Sequence, residues 1–148
     1  MKNRFLLILL IASLTSCHFI QPKFQGGEKF EMGGISGREV KLTVEADVLN
    51  ENGFGIKLKP SIFDMYVEDI YIGKVHLDKK LKLKRKQTTH LIAPVTVVLE
   101  QGVMFKAMRL IRKDKLKIQL KGDAKVGVFI FAKKMPIDEV KVVNGIRM

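Results

Sequence analysis

Apolar and polar residues alternate with period two over most of this chain. Val40, Leu42, Val44, Ala46 and Val48 alternate with Lys41, Thr43, Glu45 and Asp47, which predicts a strand with one face in the core and one in water. Asn50-Glu51-Asn52-Gly53 predicts a turn, because Asn tolerates left-handed backbone and Gly has no side chain to oppose it. Phe54, Ile56 and Leu58 resume the alternation. Ile62 to Val67 and Ile70 to Val75 form a hairpin pattern split by Glu68-Asp69. Leu77, Leu81 and Leu83 sit among lysines, and Thr88 to Leu99 is another long strand. Its Pro94 cannot donate to a ladder, which places it at an edge or a bend. After an interruption, Leu116, Ile118 and Leu120 alternate with lysine and glutamine, and Gly122-Asp123 predicts a turn. Val126 to Phe131 is apolar on both faces, as a central strand would be, and Val140 to Val143 closes the sheet.

The interruption has a different period. From Gly102 to Lys115, Met104, Ala107, Met108 and Ile111 recur at helical spacing, while Lys106, Arg109 and Lys113 fall on another face. This predicts an amphipathic helix of roughly three turns. Seven or eight short strands and one helix predict an all-β fold, a two-sheet antiparallel sandwich.

The N-terminus follows neither period. Lys2 and Arg4 precede the apolar run Phe5 to Ala12, which is shorter than the roughly 20 residues a permanent membrane helix needs. Leu14-Thr15-Ser16-Cys17 then resembles the lipobox of bacterial lipoproteins, in which the cysteine is acylated and becomes the first residue. Cys17 is the single cysteine of the chain and stands where that modification would use it. The expected organisation is a signal peptide at 1–16, a flexible lipid-anchored tether at 17–27, and the strand-rich domain at 28–148. His18, rather than Asp, follows the cysteine, and no acid-rich stretch comes after it. Both point to an outer-membrane anchor with the domain in the periplasm.

Composition removes other functions. With 148 residues the chain has room for one domain, and 47% hydrophobic with 28% charged residues is a globular balance. One cysteine and three histidines exclude a disulfide framework or a Cys/His zinc cage. No cofactor motif is present. Beyond the signal segment the serines are Ser36 and Ser61, and His76 and His90 sit at strand positions, so no nucleophile, base and acid converge by spacing. The expectation is a protein that is not an enzyme and holds no metal.

Charge adds one feature. The formal net charge is +12, and Lys79, Lys80, Lys82, Lys84, Arg85 and Lys86 form a dense basic run to which the helix adds Lys106, Arg109 and Lys113. One reading is protective, since lysines at a strand edge block sheet-to-sheet aggregation. The other is a patch for anionic lipid, lipopolysaccharide or another envelope protein, each cation near an anionic membrane contributing roughly 1 kcal/mol. Export of the chain excludes nucleic acid as a partner. The oligomeric state is not determined by these patterns. Met104, Phe105 and Met108 also suit the wall of an apolar pocket.

Val44 to Leu58, with Asn50 and Asn52 at the turn, resembles the strand–Asn-Pro-Asn–strand signature of the late embryogenesis abundant type 2 family, also called the water-stress and hypersensitive-response domain. Glu51 replaces the usual proline. Tyr66, Gly73, Thr88-Thr89 and Pro94-Val95 follow in the family's order, so the resemblance spans about residues 28–143. It implies an immunoglobulin- or fibronectin-III-like sandwich, a role in stress protection, and lipoprotein relatives in bacteria. No catalytic residue carries over, and Asn50 and Asn52 carry over as a structural turn.

Overall fold

The computed structural model describes residues 19–110 and 114–144. The signal segment, Cys17, His18 and Lys113 lie outside the described residues. Nine strands and one short helix follow one another as β1 (Lys23–Ser36), β2 (Glu39–Asn50), β3 (Ile56–Leu58), β4 (Ser61–Val67), β5 (Ile70–Leu77), β6 (Leu81–Leu83), β7 (Gln87–Leu99), α1 (Met104–Leu110), β8 (Lys115–Val128) and β9 (Phe131–Asn144). The all-β expectation holds, and every strand pairing is antiparallel.

The hydrogen-bonded path is β1-β2-β7-β5-β4-β8-β3-β6, with β9 on the other side of β8. The expected two sheets are thus one continuous network. The join is β8, which pairs with β4 from Ile118 to Gly122 and with β3 from Val126 to Val128. Gly122 makes this bend possible. It was expected to turn the chain, but it lies inside β8 at φ +152°, with the Ile62 carbonyl 3.1 Å from where a Cβ would stand. A glycine that lets two backbones approach closely has the same sequence signature as a turn.

Two layers bury the core. In one cluster Val48 and Leu91 of β2 and β7 pack against Ile56, Leu83, Ala124 and Val126 of β3, β6 and β8. In the other, Ile72, Val75, Val97, Leu99 and Val103 meet Val40, Leu42, Met65 and Leu110. These are the inward positions of the alternating pattern, and the exposed lysines are the outward ones.

Three further expectations change. The tether assigned to 17–27 gives way to strand at Lys23, where β1 begins opposite Leu49. The glycines that suggested a linker instead mark irregular register in an exposed edge strand, with shifts around Gly26 and Gly34. Of the expected helix, Met104 to Leu110 is helical as anticipated, and its expected continuation through 111–113 lies outside the described residues. The run Val126 to Phe131 is no central strand: β8 ends at Val128, Phe129 and Ile130 form the turn, and β9 starts at Phe131. Pro94 sits in an interior strand, opposite Thr43 and one residue beyond the last β5 partner, Val95, so its missing donor falls where that flank is open.

Candidate functional site

The strands share two ends. At one lie the turn Glu68-Asp69, the β7–α1 connection and the start of β8; at the other lie Asn50 to Gly55, the β6–β7 turn at Lys84 to Lys86, the β8–β9 turn and the entering segment at Phe19. The 13 residues of β7 separate these ends by about 40 Å.

This separation divides the anticipated basic patch. Lys79 and Lys80 are exposed between β5 and β6, Lys82 stands opposite Lys57, and Lys84, Arg85 and Lys86 form the exposed β6–β7 turn. Lys106 and Arg109, on α1, are at the far end. Among the described residues, none of these eight cations has a carboxylate within 4 Å. They form two surfaces, not one. Beside α1 a groove of about 330 Å³ is lined by Ile70, Phe105, Lys106, Arg109 and Leu110, so Phe105 does stand at an apolar hollow.

At the near end the two asparagines make a closed polar knot. Asn50 is wholly buried and Asn52 is 2% exposed. The Asn50 amide donates to the carbonyls of Phe54 (2.9 Å) and Lys84 (3.1 Å), and its Oδ1 accepts from the Asn52 backbone N–H (3.1 Å) and side chain (2.9 Å). Two donors and two acceptor sites are thereby filled, the full capacity of the group. Asn52 in turn grips the entering chain: its Nδ2 donates to the Ile20 carbonyl at 2.6 Å and its Oδ1 accepts from the Ile20 N–H at 2.8 Å. The Asn52 carbonyl also accepts from Lys86 N–H at 3.1 Å. Glu51, at the proline position of the resembling signature, points outward to Lys23 at 2.7 Å. The turn motif was readable in sequence. Its partner 32 residues upstream was not, since nothing local marks Ile20 as the segment it binds.

Aromatic rings continue this end outward. Phe19 lies 6.4 Å from Phe54, and Phe54 lies 5.7 Å from Phe129. Phe129, Ile130 and Phe131 are 73%, 91% and 73% exposed.

His90, at its expected strand position and exposed, has two acidic partners. Its Nδ1 lies 2.7 Å from Asp47, directly opposite on β2, and its Nε2 lies 3.3 Å from Glu45. The hydrogen bond to Asp47 holds the imidazole pKa above its ordinary value. The group stands on an open sheet face with no hydroxyl or thiol nucleophile among its partners. Among the described residues, no set of His, Cys, Asp and Glu is arranged to hold a metal ion, and no helix is long and apolar enough to cross a membrane.

Comparison with known proteins gives a sequence relative, structural neighbours and a family. The chain is 28% identical over 136 residues to the uncharacterized protein MJ1138 of Methanocaldococcus jannaschii, covering 88% of this chain and 74% of that one. A crystal structure of a protein from Archaeoglobus fulgidus superposes with a TM-score of 0.53 at 11% identity, covering 85% of this chain and all of the other, a likeness of fold alone. A solution structure of AT1g01470 from Arabidopsis thaliana gives a TM-score of 0.46 at 15% identity, over 88% of each chain. The family model for the late embryogenesis abundant protein, type 2, matches residues 45–141, which include Asn50, Asn52, Gly73 and every fully buried apolar residue among those described. With well over half of its length matched, the chain belongs to the late embryogenesis abundant type 2 family.

Proposed function

We propose that this chain is a lipid-anchored protein of the bacterial cell envelope, acylated at Cys17 and held at the outer membrane, whose non-catalytic β domain protects or binds envelope components under stress. The observation that carries the reading is the grip of Asn52 on Ile20, three residues beyond the lipobox cysteine. Ile20 is tied to a buried side chain by two hydrogen bonds, so a lipid on Cys17 would be joined to the fold through a short span. The polar face of the sheet offers no converged nucleophile and base, which supports the non-catalytic half of the reading. Family membership supports the stress role.

Cys17→Ala, or treatment of cells with globomycin, should move the protein out of the membrane fraction or leave it unprocessed. Normal processing together with an unchanged distribution overturns the anchor. Loss of viability after drying in cells lacking the protein, restored by the wild-type chain, tests the stress role.

A second reading has its own observation. Lys84, Arg85 and Lys86 are exposed beside the knot, with no carboxylate partner among the described residues. On this reading the run binds anionic lipid or lipopolysaccharide. Reversing charge at Lys82, Lys84, Arg85 and Lys86 should weaken binding to anionic vesicles in a salt-dependent manner, and equal binding removes it.

A further inference from the structure

The β8–β9 turn departs from what hairpin chemistry favours. A two-residue turn with positive φ at its first position calls for Gly, Asn or Asp. Here Phe129 occupies that position at φ +53°, followed by Ile130. A bulky aromatic residue in the left-handed region is an uncommon and strained placement, and such placements concentrate at functional positions. The strain brings little burial, for all three residues of the tip are more than two-thirds exposed.

The surroundings of this apolar tip have one sign of charge. Lys133 and Lys134 flank it on β9, Lys57 lies opposite Gly127, and Lys84, Arg85 and Lys86 line the neighbouring turn. Over the segments 19–23, 50–57, 82–89 and 125–135 that build this end, the acidic residue is Glu51, already held by Lys23. Phe19, two residues past Cys17, reaches the tip through two ring contacts, by way of Phe54. Apolar residues at the apex, cations around them and an adjacent chain entry match the layers of a bilayer surface: acyl region, anionic headgroups, and anchor.

We infer that Phe129, Ile130 and Phe131 form a wedge that enters the acyl-headgroup boundary of an anionic bilayer, fixing the domain with its Asn50/Asn52 end on the membrane. The inference rests on the anchored reading and adds the contact surface and the orientation. Because Ile20 is clamped, the span from Cys17 to the fold is at most about 10 Å, too short for the domain to stand clear of the surface.

The test uses the full chain, purified in detergent and reconstituted into phosphatidylethanolamine–phosphatidylglycerol vesicles. Ile130→Cys carries an environment-sensitive NBD label, with Asp69→Cys as the reference at the opposite end. Acylated Cys17 has no free thiol, so an otherwise wild-type chain should take up no label. The inference requires a blue-shifted NBD emission at position 130, quenched by lipids with spin-labelled acyl chains, and an aqueous signal at 69. Phe129→Ser combined with Phe131→Ser should lower the ratio of inserted to free tip roughly tenfold or more. Equal aqueous signals at 130 and 69 on anchored protein overturn the wedge and leave the anchor standing. A blue shift without lipid quenching, accompanied by a dimer in sedimentation, also overturns it, by assigning the tip to a second copy of the chain. Label uptake at Cys17 overturns the anchor instead; Ile130→Cys combined with Cys17→Ser, labelled at 130 alone, is then mixed with vesicles, where lipid quenching upholds the wedge and its absence overturns it.

Discussion

Two tight turns close hairpins at opposite ends of this molecule, and they are built to opposite rules. At Glu68-Asp69 both residues take positive φ, 51° and 63°. Lys117 holds that turn: its carbonyl accepts from Glu68 N–H (2.9 Å), its own N–H donates to the Glu68 carboxylate (2.9 Å), and its ammonium reaches Asp69 at 2.8 Å. At Phe129-Ile130 the first residue is equally left-handed, yet its described contact is the Phe54 ring. The acidic turn is closed onto its own domain. The aromatic turn leaves its side chains facing outward. The same backbone geometry thus serves self-contained stability in one place and presentation of an apolar surface in the other.

The comparison can be broken from either end. The largest effect is expected at Gly73, just past the acidic turn, where a Cβ would collide with the Val98 carbonyl and φ is +151°. Gly73→Ala should cost about 3 kcal/mol and lower Tm by about 10 °C in thermal unfolding. At the other end, Asn52→Ala removes both hydrogen bonds to Ile20 and one to Asn50. It should cost about 2 kcal/mol, and hydrogen exchange at the Ile20 amide should accelerate while that of β5 keeps pace only with the global loss of stability.

Phe129→Asn sharpens the contrast between the turns. Relief of the left-handed strain, about 1 kcal/mol, is offset by loss of the ring contact with Phe54, so denaturant titration should place the variant within about 0.5 kcal/mol of wild type. A drop of several kcal/mol would show that Phe129 holds the fold together, as Lys117 does at the opposite turn. The smallest effect belongs to His90, on the sheet between the ends. Its native pKa is raised chiefly by the hydrogen bond to Asp47, so the stabilisation it adds is complete below the unfolded value and fades as pH rises through the native value. NMR titration should give a pKa above 6.5, and Asp47→Asn should bring it down.

Strand identity was legible wherever one face of a strand is buried, as in β2, the β4–β5 hairpin and β7, because burial imposes the period of two. It was illegible where that constraint is missing. β1 is almost entirely exposed and bulged at its glycines, so it reads as linker. Residues 126–131 are apolar on both faces for two reasons in succession, first the core and then the exposed tip, and with no Gly, Asn or Asp at the turn nothing marks the change. The asparagine pair was visible as a motif, yet its grip on Ile20 joins positions 32 apart and leaves no trace in any window. The described basic residues of the run and of α1 are exposed, but their division between two ends depends on the direction of β7, which composition does not encode.

Two edge strands, β1 and β9, are bridged by a side chain. Lys141 reaches from β9 to Glu28 at 2.6 Å and lies over the Phe24 ring, both on β1. Unsheltered margins are where β proteins fuse with their neighbours when water is withdrawn and molecules crowd. The Lys141–Glu28 pair crosses that seam, so two of these margins are joined to each other within one molecule by an ion pair instead of being left independent.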